Sequence, residues 1–344
     1  MTIKQVAREA GVSIATVSRV LNGKGPVLPA TRDRIREVAR RLRYVPHGGA
    51  RSLITRRTNT VGVLLPDLHG AFYSELIRGL DREARRRGYH LLVSGSHGNP
   101  QEMASVLQAT RGRVDGMIVM APALGEELPE GVRAVRLGSG RLGQHHDSFG
   151  FANRAGAAEM VRHLAAAGRR RIAFVQGPPD NVDARERLQG YRAAIARERL
   201  PRSAALEIPG DFTEDSGAAA VEAVLSRVPR PDAVFAANDA MAVGVLAELR
   251  SLGIAVPGEI AVVGFDDIPL ARYLTPSLTT VRVPLAEMAA RALSRLLDRL
   301  DGGTIDRPCH VTLPVELVVR ESCGAGPDLE GSGLGAARSA GTLR

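Results

Sequence analysis

The chain has 344 residues, with 46 Lys and Arg against 37 Asp and Glu, a formal net charge of +9. That length suggests two or three domains with large cores, and two cysteines, Cys309 and Cys323, make no disulfide framework and match no metal-ligand spacing. The opening MTIKQVAREA lacks a secretory apolar segment and no run of about 18 apolar residues occurs, so the reading is a cytoplasmic protein with no membrane segment, metal or cofactor.

The charge is unevenly spread. Residues 1–60 hold 13 basic and 3 acidic side chains, and the remaining 284 hold 33 and 34. A basic module on a near-neutral body points to a polyanion partner for the module alone. Thr2 and Gln5 have the spacing of a capping box, and Ile3, Val6, Ala7 and Ala10 form an apolar helical stripe. Gly11 permits a turn, and Ser13 N-caps a second helix expected over Ile14 to Asn22. Its Val17, Val20 and Leu21 should pack on the first helix, while Ile14, Ala15, Ser18, Arg19 and Asn22 share another face. A third helix, with Pro29 in its first turn, should bury Ile35, Val38, Ala39 and Leu42.

Two short helices joined by a glycine turn and closed by a third describe a helix-turn-helix module. An exposed face of small residues suits entry into the DNA major groove. Arg19 is then the bidentate donor that reads guanine, Ser13, Thr16, Ser18 and Asn22 suit phosphates, and Ile14 and Ala15 offer methyl groups to thymine.

The run IKQVAREAGVSIATVSRVLNG (3–23), with TRDRIREVARRLRYVP (31–46) and ARSL (50–53), resembles the lactose repressor family of bacterial transcription regulators. The resemblance implies a DNA-binding domain over 1–45 and a hinge over 46–60. It implies that Ile14 and Ala15 help select the operator, that Arg19 reads a guanine, and that Thr31 joins the DNA contacts. Leu53, on a hinge helix, would wedge into the minor groove and kink the operator. His47, Gly48 and Gly49 depart from the family's usual hinge of Asn and two helix-compatible residues. Each glycine costs about 1 kcal/mol in a helix interior, so this hinge helix should depend more on DNA.

From Val61 onward, apolar strands such as VGVLLP (61–66), GMIVMAP (116–122), RRIAFVQG (170–177), PDAVFAAND (231–239) and EIAVVGFDD (259–267) alternate with amphipathic helices. Continuous apolar strands joined by crossover helices mean doubly wound parallel sheets, in which ligands bind beyond the carboxyl ends of the strands. Those ends carry Pro66-Asp67, Gly177-Pro178, Asn238-Asp239 and Asp266-Asp267.

The resemblance continues through PDLHGAFYSELIRGL (66–80), RERLQGY (185–191), GDFTEDSG (210–217), FAANDAMAVG (235–244) and VVGFDDIPLA (262–271). It implies an α/β, periplasmic-binding-protein-like core over 61–322, with one subdomain roughly 61–160 plus 283–312 and the other 161–282 plus 313–322. Phe72 and Tyr73 would line the effector cleft from one side, and Asp183, Arg187, Phe212, Asn238 and Asp266 from the other. Asp and Asn suit paired hydroxyls, Arg187 is a multidentate donor, and aromatic faces stack on a sugar or purine. The family often has Val-Asp-Asn where this chain has Phe151-Ala152-Asn153. Either the effector lacks the usual hydroxyl pattern, or Asp147 or His97 replaces the missing carboxylate. Residues 323–344 are Gly-, Ala- and Ser-rich, match nothing in the family and read as a disordered tail without the heptads of the family's tetramers.

The expectation is a homodimeric repressor on a pseudo-palindromic duplex, with DNA affinity set by a sugar-like effector or, alternatively, a purine co-repressor. A transport solute-binding protein would fit the body but not the basic module. An enzyme is disfavoured because no nucleotide-binding glycine loop and no Ser/His/Asp or Cys/His arrangement stands out, and His145-His146 lacks further ligands at metal spacing.

Overall fold

The computed structural model describes residues 1–21, 25–44, 57–120, 133–139, 146–201, 203, 206–302 and 307–325. Asn22, His47, Gly48, Gly49, Leu53 and the tail beyond Ala325 lie outside the described residues. Two compact units divide the chain: Met1–Thr60 with Gly112–Asp115, and Val61–Arg111 with Gly116–Arg344.

The first unit opens with helices α1 (Ile3–Glu9), α2 (Ile14–Leu21) and α3 (Pro29–Arg41). The Thr2 amide donates to Gln5 Oε1 at 2.8 Å, and Ser13 Oγ accepts from the Thr16 amide at 3.1 Å, so both helix starts are satisfied by side chains. Gly11 turns the chain between them at φ +61°. Val6, Ala7, Ala10, Val17, Val20, Ile35, Val38 and Ala39 form the interior, with Leu21 and Leu42 at its margin. Val6, Val17 and Ile35 are fully enclosed, and burying such a side chain stabilises by about 1.5–3 kcal/mol.

The second unit holds a six-stranded sheet of β1 (Thr60–Leu65), β2 (His90–Gly95), β3 (Gly116–Val119), β4 (Ala134–Leu137), β5 (Asp147–Phe151) and β11 (His310–Leu313), in the order β11-β5-β4-β3-β1-β2. The pairings β1–β3, β3–β4, β4–β5 and β5–β11 are parallel. Helices α4 (Ala71–Arg86) and α5 (Pro100–Thr110) belong to this subdomain, as does α10 (Leu285–Leu300), whose Met288, Ala289, Ala292, Leu293 and Leu296 are buried at helical spacing. α10 meets α4 closely enough that a Cβ on Gly79 would lie 2.9 Å from the Ala289 methyl.

The second subdomain has a parallel sheet of β6 (Ile172–Val175), β7 (Glu207–Ile208), β8 (Ala233–Ala236) and β9 (Ala261–Val263), in the order β7-β6-β8-β9. Around it lie α6 (Asn153–Ala166), α7 (Val182–Arg197), α8 (Glu214–Leu225) and α9 (Asp239–Ser251). β10 (Thr280–Arg282) and β12 (Glu316–Val318) pair antiparallel. Strands β3, β4, β5, β6, β8 and β9 are buried at every residue, which explains the unbroken apolar runs of β3, β6, β8 and β9, while β4 carries Arg136 and β5 carries Asp147 and Ser148. Strand order reverses between β1 and β3 in one sheet and between β6 and β8 in the other. The loops after β1, β6 and β8 therefore open at topological switch points.

Two boundaries differ from the sequence reading. The chain crosses between subdomains at Ala152, not near residue 160, because Ala157, Met160, Val161 and Leu164 of α6 are buried and α6 packs on α7. At that crossing a Cβ on Gly190 would overlap the Arg154 carbonyl. The ordered chain also runs past 322: Ser322 and Cys323 are fully buried, and Cys323 Sγ lies 3.3 Å from His163 Nε2.

Candidate functional sites

On α2 and at its N-cap, the face opposite the two buried valines turns outward. Ser13, Ile14, Ala15 and Arg19 are exposed, with Ile14 44% accessible, and Thr16 and Ser18 are half-buried. The Ser13 and Thr16 hydroxyls are 2.9 Å apart. Thr31 is half-buried in the first turn of α3, its amide donating to the Leu28 carbonyl at 3.0 Å. Arg40 is held by Glu37 and Arg41 by Glu9 at 2.6 Å, so these cations are locally compensated. Lys4, Arg8, Arg32, Arg34 and Arg36 are exposed as well. The result is a cationic module with a shallow, methyl- and hydroxyl-bearing helix face around one long arginine.

In the larger unit, Arg187 is 4% exposed and forms the centre of a cluster. Its Nε donates to Asn153 Oδ1 at 2.9 Å and its Nη1 to the Ala237 carbonyl at 2.6 Å. Nη2 lies 3.0 Å from Asp266 Oδ1. The guanidinium carbon sits 3.9 Å from the Phe265 ring centroid and 5.9 Å from that of Phe212. Asp266 Oδ1 is buried and accepts no hydrogen bond, since the nearby Nη2 is out of line with it. Burial pushes the Asp266 carboxyl up to about 6, against the pull of Arg187. Its neighbour Asp239, fully enclosed, is raised to about 7 by burial and then by the charge of Asp266, although it accepts from Thr280 Oγ1 at 2.5 Å and the Ile268 amide at 2.9 Å.

Asn238 is committed to structure. Its Oδ1 caps α9 through the Met241 amide at 2.9 Å, and its Nδ2 donates to the Phe212 carbonyl at 3.0 Å. Phe212 stands at φ +75° and Asp266 at φ +122°, conformations that cost non-glycine residues of order 1–3 kcal/mol each. Strained backbone thus aims both side chains at the cluster around Arg187.

Tyr73, beside Phe72 with ring centroids 5.4 Å apart, lies in the first turn of α4, just past the loop that follows β1. Burial raises its phenol to about 12, and the nearby carboxylates of Asp67, Asp266 and Asp183 add to the rise. The Tyr73 hydroxyl of the first subdomain is thus within electrostatic reach of Asp266 and Asp183 of the second. Asp183 is also engaged. Its Oδ1 accepts from the Ser139 amide at 3.0 Å and from Asn153 Nδ2 at 2.6 Å, and the Ser139 hydroxyl donates to Glu186 Oε2 at 2.7 Å. Ser139 follows β4 and Asp183 and Glu186 lie on α7, so these bonds tie the two subdomains together.

Asp147 does not replace the carboxylate missing at Ala152. It lies at the start of β5, the end away from the cleft, fully buried between Arg295 at 3.0 Å and Arg299 at 3.1 Å, and accepts from the Cys309 amide at 2.7 Å. His97, exposed at φ +46° after β2, is near Asp67 at the cleft end of the sheet. The Asp67 carboxyl is held below its ordinary range by the His69 amide first, and by the Leu68 amide and the charges of His97 and His69.

Sequence reading missed Ser139, Asn153 and Glu186, whose roles come from contacts remote in sequence. It also missed Arg136, a lone cation in the apolar strand β4, and that oddity is the signal that could have found it. Arg136 is 6% exposed, and its Nε has no hydrogen-bond partner. Burial lowers its pKa while the charge of Asp183 supports its cationic form. Among the described residues no group of three or more His, Cys, Asp or Glu side chains is placed to hold a metal, and no helix is long and apolar enough to cross a membrane.

Residues 2–47 match the profile of bacterial regulatory proteins of the lacI family, and residues 161–323 match a periplasmic binding protein-like domain. The chain is 38% identical over 336 residues to the HTH-type transcriptional regulator CelR of Thermobifida fusca, covering 93% of this chain and 98% of that protein. The chain belongs to the lacI family.

A solved CelR–cellobiose complex matches this regulator with a TM-score of 0.71 and 34% identity, over 94% of this chain and 99% of that one. The Lac repressor dimer bound to operator and the anti-inducer ONPF matches with a TM-score of 0.84 and 28% identity, over the same shares. The regulator has the helix-turn-helix module and the parallel-sheet, binding-protein-like core of its family, and it acts in transcription by binding DNA.

Proposed function

We propose that this regulator binds a pseudo-palindromic operator as a homodimer and that a sugar in the cleft sets its operator affinity. On α2, Arg19 reads a guanine while Ile14 and Ala15 contact methyl groups, and Ser13, Thr16, Ser18 and Thr31 fix register on phosphates. In the cleft, Asp266 and Arg187 meet sugar hydroxyls, and Phe72, Tyr73 and Phe212 meet the ring faces. Asn238 acts by holding Phe212, and Asp183 by tying Ser139 of the first subdomain to the second. The observation that carries the reading is the buried Asp266 oxygen without a donor beside Arg187, in a cleft built from two subdomains. The cellobiose carried by the CelR structure supports a sugar as the effector class. A ligand touching both subdomains changes their equilibrium only through its differential affinity for the two arrangements.

The test begins with a duplex selected from a random pool by the full-length protein. Operator affinity is then measured with and without cellobiose and a panel of neutral mono- and disaccharides, for wild type and Asp266→Ala. An inducer weakens wild-type binding and leaves the variant unresponsive. A co-repressor strengthens wild-type binding, and the variant stays weak throughout. A variant that responds like wild type removes Asp266 from the site.

Arg136 favours a second reading, in which the effector carries a carboxylate or phosphate. A buried guanidinium whose Nε has no hydrogen-bond partner suits an anion, and Ala152 at the end of β5 supplies none. Uronates and sugar phosphates therefore belong in the same panel.

A further inference from the structure

Asp115 lies far from the cleft, immediately before β3, and organises the end of the chain segment that leads in from the DNA-binding module. Its Oδ1 accepts from the Thr58 amide at 2.6 Å and the Thr58 hydroxyl at 2.8 Å, and its Oδ2 from the Asn59 amide at 2.8 Å. Its own amide donates to the Thr60 carbonyl at 2.8 Å. The Thr58 hydroxyl in turn accepts from the Thr60 amide at 3.2 Å. One carboxylate thus gathers both oxygens' worth of donors from two consecutive residues, in the charge-assisted class of bond that is shorter and stronger than its neutral counterpart.

Asn59 stands at φ +51°, a conformation that asparagine tolerates but does not prefer. The carboxylate satisfies its amide there and holds the bend just before β1 begins. Thr60 opens β1 and Asp115 precedes β3, and the next residues, Val61 and Gly116, are register partners. Residues 58–60 are therefore held by Asp115 just before the adjacent strands β1 and β3 begin their pairing.

We propose that Asp115 is a positioning residue that fixes where the linker leaves the core, so that operator binding and its control by the cleft reach the DNA-binding module through a fixed origin. With that origin loose, two modules must be ordered from a wider ensemble on each binding event, and a change in the cleft is absorbed in the linker. The part that concerns cleft control rests on the sugar reading above. The part that concerns operator affinity does not.

The experiment uses the full-length protein, the selected operator and a scrambled duplex of equal length. Asp115→Ala is expected to lower affinity for the operator about tenfold or more while binding to the scrambled duplex stays within about twofold, because phosphate attraction is untouched. Amide exchange over residues 57–60 should accelerate in the same variant. Asp115→Asn, which keeps one acceptor oxygen for Thr58 but not the second for Asn59, should fall between, as should Thr58→Val. Equal losses on both duplexes, or unaltered operator affinity with accelerated exchange, would overturn the proposal. If a panel sugar shifts wild-type operator affinity, Asp115→Ala should bind that sugar normally and transmit less of the shift, whereas Asp266→Ala should fail to bind it. If no sugar acts, the sugar reading falls and the two duplexes still decide the role of Asp115.

Discussion

Arg187 Nη2 lies 3.0 Å from Asp266 Oδ1, and that enclosed oxygen accepts no hydrogen bond. The ion pair is close but not in line, so Coulomb attraction is present while the acceptor stays unused. Asp266 and Asp267 hold this arrangement at φ +122° and φ +55°, which local preference would not select. A donor hydroxyl entering in line with Oδ1 would use an acceptor whose desolvation has already been incurred in the fold.

Arg187→Lys should show how far the guanidinium's geometry matters. The ammonium keeps the charge but cannot reach Asn153 Oδ1, the Ala237 carbonyl and Asp266 from one planar fork. Effector affinity should fall by more than about tenfold, with a stability loss of about 1–3 kcal/mol from the acceptors left unpaired. Isothermal titration and denaturant unfolding check the two parts, and wild-type values in both would remove Arg187 from the centre of the site.

Asp239 and Asp266, raised from 3.8 to about 7 and about 6, bind protons more tightly in the folded chain than in the unfolded one. Their contribution to stability is therefore complete below about pH 4 and is lost as pH rises through about 6 and 7. Asp239→Asn cannot ionise. Its melting temperature relative to wild type should climb across that window, with the largest gain above neutrality. A difference that stays flat or declines with pH would show that Asp239 is ionised without penalty.

Arg136→Leu exchanges a buried cation whose Nε has no hydrogen-bond partner for an apolar side chain in a strand whose neighbours Val135 and Leu137 are enclosed. It should leave stability unchanged or raise it by about 1–4 kcal/mol, as replacement of buried charge often does. If the effector is anionic, the same variant should lose its response to uronates or sugar phosphates while keeping its operator affinity. A marked destabilisation would mean that Arg136 supports the fold itself.

Arg19→Ala should cost roughly 1–3 kcal/mol per half-site and relax discrimination at one guanine. Arg36→Ala, on the exposed side of α3, should weaken binding slightly and equally for all duplexes, with a small change in salt slope. Competition binding against single-base operator variants separates the two patterns. Uniform weakening by both substitutions would reduce Arg19 to a phosphate ligand.

The helices of the DNA-binding module could be read from sequence because their signals are local: Thr2 with Gln5, Ser13 before Ile14, Pro29 in a first turn, and valines at helical spacing. Most strands of the core were legible for the same reason, since a strand buried on both faces is apolar wherever no partner is at hand, as in β3, β6, β8 and β9. The cleft was legible only as strand ends bearing polar residues. Which of them matter was decided by strand order, which sets partners far apart in the chain. Asp183 meets Ser139 across 44 positions, Arg187 meets Ala237 across 50, and Asp115 meets Thr58 across 57. Asp147 is a polar residue beside β5 like Asp67 beside β1, but it stands at the strand's beginning, where Arg295 and Arg299 of α10 reach it. No local pattern distinguishes the two ends of a short strand's neighbourhood in that way. A carboxylate becomes a ligand for an effector, a latch or a buried ion pair according to which donors the packed sheets and helices bring within about 3 Å of it.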